Sequence, residues 1–173
     1  MKTIKNLTLI SLITLFLTSC VSVRVTSDYD SQTDFSQYKT FAFYKKGIDK
    51  SKISDLDKKR ILRAIESELI AKGMTKSNKP DVLVSIFAKS QKHVNVYNNN
   101  NWYPHYYGAY WQNNYSNYVE GTLLIDLIDS KGKTLLWQGV GKGALSASKK
   151  VEKKEARINE FVAEIMAVYP PTK

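Results

Sequence analysis

The sequence predicts an α+β domain: an antiparallel sheet of about five strands, in the order ββαβββα, with two helices packed on one face. Short runs in which apolar and polar residues alternate are typical of half-buried strands. Two longer runs repeat apolar residues at helical spacing. Of the 173 residues 43% are hydrophobic, which is enough to bury one core. Because no linker-like change in composition divides the chain, residues 20–173 are expected to form a single domain.

Two strands and a helix are predicted in the first half of the chain. Val21, Val23 and Val25 alternate with polar residues, and the aromatic stretch 38–44 is a second β-prone run. Ser54 has the character of a helix N-cap. Apolar residues then recur at helical spacing until Gly73, a typical C-terminal glycine: Ile61, Leu62, Ile65, Leu69 and Ile70.

Three strands and a second helix are predicted in the second half. Residues 82–88 are apolar on both faces, which indicates a central strand. Residues 118–129 alternate, and the short turn 130–133 predicts a hairpin with 134–140. A helix before Pro170 is indicated by Ile158, Phe161, Val162, Ile165, Met166 and Tyr169. The expected core comprises Leu123, Ile125, Trp137, Leu62, Ile65, Phe161 and Ile165.

The amino terminus resembles a bacterial lipoprotein signal peptide. A short basic start precedes an apolar stretch at 7–17 that is too short to span a bilayer, and Leu17-Thr18-Ser19-Cys20 is similar to a lipobox. We therefore expect residues 1–19 to be removed and Cys20 to carry diacylglycerol and a fatty acid such as palmitate. The membrane is then a partner through this lipid, and the protein is located in the cell envelope. The first acidic residue after Cys20 is Asp28, which favours the outer membrane and leaves open the face from which the protein projects.

An unusual insert occupies residues 93–118, which include seven Tyr, two Trp and eight Asn but no Asp, Glu, Lys or Arg. Tyr and Trp offer large contact areas with a polar tip, and Asn adapts its hydrogen bonds, as in paratopes and sugar-stacking sites. A low-complexity segment without a binding role is the alternative. The possible binding residues are Trp102, Tyr103, Tyr106, Tyr107, Tyr110 and Trp111.

No catalytic or metal centre is predicted, and no cofactor is expected. One cysteine excludes a disulfide framework within the chain and a Cys-based zinc site. His93 and His105 are two loop histidines that nothing holds near Glu120, so a metal site is not expected. Asp126 and Asp129 are the candidate acids of a hydrolase, but their pattern indicates a strand face and a turn.

Two further motifs have structural explanations. The alternating glycines of 139–143 lack the spacing of a phosphate-binding loop and indicate a bend or close backbone packing. Lys149, Lys150, Lys153 and Lys154 form a basic run at the start of the second helix. An exported, lipid-anchored protein does not meet nucleic acid, so a solvated helix face is favoured, with attraction to anionic headgroups as the alternative.

Several stretches jointly resemble the bacterial lipoprotein family called domain of unknown function 4136. They are the segments 34–43, 79–84, 118–126, 136–139 and 169–171, in the order of the family and over nearly the whole mature chain. The resemblance implies a compact α+β domain behind a lipid anchor and brings no established activity.

These observations predict a lipid-anchored envelope protein that is not an enzyme but a binding or structural module of unknown ligand. An envelope protein or a glycan is the expected partner. One alternative is a glycan or peptidoglycan binder that uses the aromatic insert. The other is an envelope-polymer hydrolase with Asp126 or Glu120 as acid or base.

Overall fold

The computed structural model describes residues 23–51, 53–96, 115–145 and 150–171. Within them lie six strands, three helices and a 3-10 turn at Phe35–Gln37. The strands are β1 (Val23–Tyr29), β2 (Thr40–Phe43), β3 (Thr75–Lys76), β4 (Val82–Val96), β5 (Tyr115–Asp129) and β6 (Leu135–Ala144). The helices are α1 (Lys45–Ile48), α2 (Asp55–Ala71) and α3 (Val151–Ala167).

The predicted α+β class is confirmed, and the sheet differs from the prediction in two respects. Its strand order is β1-β6-β5-β4-β2-β3, so the described sheet has six strands where about five were expected. It is also mixed, because β2 runs parallel to both β3 and β4 whereas the other pairs are antiparallel. The parallel pairing arises because α2 carries the chain back to the end of the sheet where β2 began.

Helix α2 begins and ends where its sequence indicates. The hydroxyl of Ser54 accepts a hydrogen bond from the Asp57 amide at 3.1 Å, which satisfies a backbone donor of the first turn. Gly73 follows the helix with a φ of +84°, a backbone conformation that glycine adopts without steric cost. Met74 then enters the core, and β3 pairs with β2.

The long helices α2 and α3 cover one face of the sheet, here called the inner face. Alternate residues of the strands point to this face and are buried, among them Val84, Ile86 and Ile125. Of the seven predicted core residues six are buried, whereas Leu62 is only half-buried at the edge of the core. The opposite, outer face carries no long helix among the described residues.

Short elements complete the edge of β4 where β2 ends. The amide of Tyr44 donates to the Val84 carbonyl at 2.8 Å, and α1 follows directly. The buried hydroxyl of Ser51 accepts from the Ala88 amide at 2.9 Å. These contacts satisfy backbone groups that β2 does not reach. No helix within the described residues is long and apolar enough to cross a bilayer.

Candidate binding surfaces

The β4–β5 hairpin extends beyond the rest of the sheet. Residues 82–96 pair continuously with residues 115–129, from Val82↔Asp129 to Val96↔Tyr115. The pairing of β6 with β5 ends at Glu120↔Ala144. One further backbone hydrogen bond runs from the Leu145 amide to the Val119 carbonyl. Residues 93–96 and 115–118, here called the hairpin arm, pair with each other as strands, and no third strand among the described residues pairs with them. At about 3.3 Å per residue the arm reaches ~13 Å past the sheet.

The hairpin arm carries the ends of the aromatic insert. Residues 97–114 connect its two strands, so the chain enters and leaves this segment side by side at Val96 and Tyr115. The six predicted binding residues lie outside the described residues, as does Cys20: Trp102, Tyr103, Tyr106, Tyr107, Tyr110 and Trp111. At the base of the arm Tyr118 is described, with 38% of its surface exposed.

A cleft of about 350 Å³ opens near the base of the hairpin arm, between the first turns of α2 and α3 and the inner face of the sheet. Its floor is mainly apolar and its rim carries charged groups from both helices. The floor is lined by Ile53, Ile61, Ala88, Leu123, Ile158 and Phe161. This cleft was not predictable from the sequence. The cleft forms only where the first turns of two helices meet the end of a strand.

An ion-pair cluster joins the two helices at the cleft. The Asp57 carboxylate lies 3.0 Å from Lys154 Nζ and 2.8 Å from Arg60 Nη1, and it also accepts a hydrogen bond from the Ser54 hydroxyl at 2.8 Å. Partial burial alone would raise the pKa of Asp57, but the hydrogen bonds from Ser54, Lys154 and Arg60 outweigh it and lower that pKa. Asp57 therefore stays ionised and holds α3 to α2. One lysine of the predicted basic run thus has a structural partner.

Arg157 is held at the same cleft by three kinds of contact. Its Nε donates to the Ala144 carbonyl at 2.8 Å, and its Nη1 lies 2.6 Å from the Glu160 carboxylate. The guanidinium stacks 4.7 Å from the centroid of the Phe161 ring. The contacts fix the guanidinium between the end of β6 and the apolar floor.

The candidate acids of a hydrolase do not come together. Asp126 and Glu120 lie on the same face of β5 but six residues apart, which corresponds to ~20 Å along a strand. Glu120 pairs with Arg24 at 3.2 Å, whereas Asp126 accepts a hydrogen bond from Gln138 at 2.7 Å. Burial raises the pKa of Asp126, and the Gln138 bond opposes that shift. Paired carboxylates of glycosidases are ~5–10 Å apart, so these two are too distant to act together.

The remaining residues that the sequence marked as candidates for catalysis or metal binding either have a structural role or lie outside the described structure. Asp129 Oδ2 accepts from the amides of Lys131, at 2.9 Å, and Gly132, so it closes the predicted hairpin turn. Among the residues that the structure describes, no group of three His, Cys, Asp or Glu is arranged to hold a metal. The side chain of His93 and the whole of His105 are not within the described structure.

A second cavity, also of about 350 Å³, lies at the opposite end of the domain beside Tyr169 and Pro171. Tyr169 packs edge-on against Trp137 and Phe35, at ring-centroid distances of 5.2 and 5.8 Å. Burial raises the pKa of Tyr169 to about 12, with a smaller effect from the nearby Tyr38. Tyr169 of the closing Tyr-Pro-Pro segment is therefore part of the core packing.

Asp81 links two of the stretches that carry the family resemblance. Its carboxylate accepts hydrogen bonds from the Thr40 hydroxyl at 2.7 Å, the Thr40 amide at 2.9 Å and the Lys39 amide at 3.1 Å. These bonds, that of the Thr40 hydroxyl foremost, lower the pKa of Asp81. These hydrogen bonds join the segment before β4 to the start of β2. This link was not predictable from the sequence.

These features define a two-layer α+β domain with a mixed sheet, a projecting hairpin and a cleft at its base. The model of the family described as domain of unknown function (DUF4136) matches residues 25–171, and the chain belongs to this family. A search among curated proteins finds no match.

Solved structures with the same fold come from two bacteria. A PDZ domain protein from Parabacteroides distasonis ATCC 8503 is similar over 88% of this chain, with 24% sequence identity and a TM-score of 0.57. This chain covers 37% of that protein, little more than a third of its length. The PelC dodecamer from Paraburkholderia phytofirmans is similar over 84% of this chain and 95% of its own, with 11% identity and a TM-score of 0.51. At these identities the similarity concerns the fold.

Proposed function

We propose that this protein is a lipid-anchored module of the bacterial cell envelope that binds a partner and catalyses no reaction. The observation that carries the proposal is the hairpin arm, which holds both ends of the 97–114 segment beyond the sheet. A two-stranded ribbon without a third strand gains little stability from its own packing. A partner that covers the ribbon and its aromatic segment would add apolar contacts to both.

The lipid anchor is supported by the sequence and by where the domain begins. The lipobox-like residues end at Cys20, and β1 starts at Val23, so little chain separates the sheet from the expected lipid. The expected lipid holds the protein on a membrane, because two or more acyl chains bind a bilayer stably. Cys20→Ser should give a protein that takes up no labelled fatty acid and leaves the membrane fraction. Fatty-acid labelling of this variant would contradict the anchor.

An envelope protein or a glycan is the expected class of partner. Aromatic rings flanked by Asn suit both, since they stack on sugar faces and pack against apolar protein surfaces. Sedimentation with purified peptidoglycan distinguishes the two. The glycan alternative predicts co-sedimentation that Trp102→Ala and Trp111→Ala abolish, with an Arg63→Gln control, at an exposed position of α2, unaffected. A protein partner predicts no sedimentation of either form.

The hydrolase alternative has less support. The ~20 Å between Asp126 and Glu120 argues against a mechanism in which these two carboxylates act as a pair, and Glu120 is engaged by Arg24. Release of soluble fragments from peptidoglycan, measured for the native protein and for Glu120→Gln and Asp126→Asn, tests it. Fragment release that both substitutions eliminate would establish the hydrolase in place of the binding module.

A further inference from the structure

A row of basic residues crosses four strands on the outer face of the sheet. The register aligns Lys89 with Thr122, Thr122 with Lys142, and Lys142 with Arg24. These positions alternate with buried inner-face residues, so the side chains of the row point away from α2 and α3. We call Lys89, Lys142 and Arg24 the basic row. With strands about 4.8 Å apart it spans ~14 Å.

The basic row is exposed and keeps an excess of positive charge. Lys89 and Lys142 are exposed and form no ion pair within the described part of the chain. The Arg24 side chain is 84% exposed, and Glu120 beside it compensates one charge of the row. The energy of such solvated charges is small within the folded domain, so the row is not explained by stability.

Along the strands, in the direction away from the hairpin arm, the basic row is followed first by an apolar row and then by a row with acidic residues. The adjacent row is apolar, with Phe87 paired to Leu124 and Leu124 to Val140. Phe87 is 43% exposed, although it lies in the middle of β4. The row after that contains the acidic residues Asp126 and Asp28. An excess of positive charge with an exposed ring beside it therefore lies at one end of the outer face, and these two acidic residues lie further away.

The basic row lies at the end of the domain where the expected lipid anchor enters. Arg24 is the second residue of β1, and Cys20 precedes Val23 by three residues. Three residues span at most ~11 Å, which is close to the Debye length at physiological salt. Lys142 lies directly opposite Arg24, so the end of the basic row at β1 lies nearest to the expected lipid.

We infer that the basic row docks on anionic phospholipid headgroups, with Phe87 at the membrane interface, and so fixes the orientation of the domain on the bilayer. This inference rests on the proposed anchor at Cys20. Each cation near an anionic surface strengthens binding about fivefold, so the two uncompensated charges of the row give a weak, salt-sensitive contact. Such a contact would direct the outer face toward the membrane.

Amine labelling of the lipidated protein tests the inference without any substitution. The mature protein is inserted into vesicles of phosphatidylcholine, with or without phosphatidylglycerol, and lysine acylation is followed by mass spectrometry. We expect Lys89 and Lys142 to react several-fold more slowly in the anionic vesicles, and high salt to remove this protection. Lys131 and Lys133, in the turn at the other end of β5, should react equally in both vesicles.

A matched pair of substitutions sharpens the test. Arg24→Gln should weaken the protection of Lys142, whereas Arg63→Gln, on an exposed position of α2, should leave it unchanged. Equal labelling in the two vesicles, on protein whose Cys20 is acylated, would overturn the docking alone. Protection that depends on the density of protein on the vesicle, and not on phosphatidylglycerol, would show that the outer face binds a second copy of the protein. This result would also overturn the docking. An unmodified Cys20 would overturn the anchor and, with it, this inference.

Discussion

Ile165 lies directly on Gly141, so that helix α3 approaches the backbone of β6 with no side chain between them. A Cβ atom at Gly141 would lie 2.7 Å from Ile165 Cδ1, and one at Gly139 would lie 2.5 Å from Ile165 Cγ2. Ile165 is fully buried and has no space to move into. The alternating glycines of β6 are thus required for helix packing, which supports the structural interpretation of this motif.

Gly141→Ala should therefore destabilise the domain by about 1–3 kcal/mol, since the added methyl overpacks a buried contact. Gly121→Ala is the matched control, because the three atoms nearest to its Cβ all belong to the Leu145 side chain, which is 39% exposed and can turn away. Chemical denaturation of both variants measures the difference. Equal stability of the two would mean that α3 does not lie on β6 as described.

Phe161→Ala should cost about 3–5 kcal/mol, because the ring is buried between α3 and the sheet and lines the cleft floor. Ile70→Ala, a substitution at a position of α2 that is 54% exposed, should change stability by less than ~0.5 kcal/mol. Thermal unfolding compares the two. A melting temperature of Phe161→Ala like that of the native protein would contradict the packing of α3.

Asp81→Asn should weaken the link between β2 and β4 and flatten the response of stability to acid. The hydrogen bonds from Thr40 and Lys39 lower the pKa of Asp81 in the folded state. Its contribution is therefore complete above the unfolded pKa of about 4 and is lost as the pH falls through the lower folded pKa. Denaturation at several acidic pH values should show a smaller pH dependence in the variant. An unchanged slope would contradict this role.

Tyr169 should make the domain sensitive to strong base. Burial raises its folded pKa to about 12, whereas an unfolded tyrosine titrates near ~10. Because the folded pKa is the higher one, the stabilisation is complete below pH ~10 and is lost as the pH rises toward the folded value. Tyr169→Phe should remove the last tyrosinate component from a spectroscopic titration. Retention of that component would show that another tyrosine is responsible.

Local signals predicted the elements that depend on near neighbours in the sequence. Ser54 caps α2, Gly73 follows its end with a positive φ, and Asp129 closes the turn between β5 and β6, as their residue types indicate. The apolar period likewise identified the buried faces of both long helices. These features are fixed within a few residues, so the sequence alone suffices to predict them.

Features that depend on strand pairing were not predictable in the same way. The two-residue β3 and four-residue α1 are too short to show a period. The basic row unites single residues from three strands, and only the register reveals that Lys142 is opposite Arg24. The cleft requires the starts of two helices that are distant in sequence. Cys20 and the six aromatic residues lie outside the described structure, and their roles stay predictions.

Crosslinking in native envelopes tests whether the hairpin arm presents a partner-binding segment. Val96 pairs with Tyr115, so residues 97–114 can be replaced by an Asn-Gly turn without altering the register of the arm. Co-purification after crosslinking compares this variant with the native protein, after confirming equal thermal stability. We expect a specific crosslinked partner with the native protein, and we expect this partner to be lost with the variant. The same crosslinked partners with both proteins would contradict it.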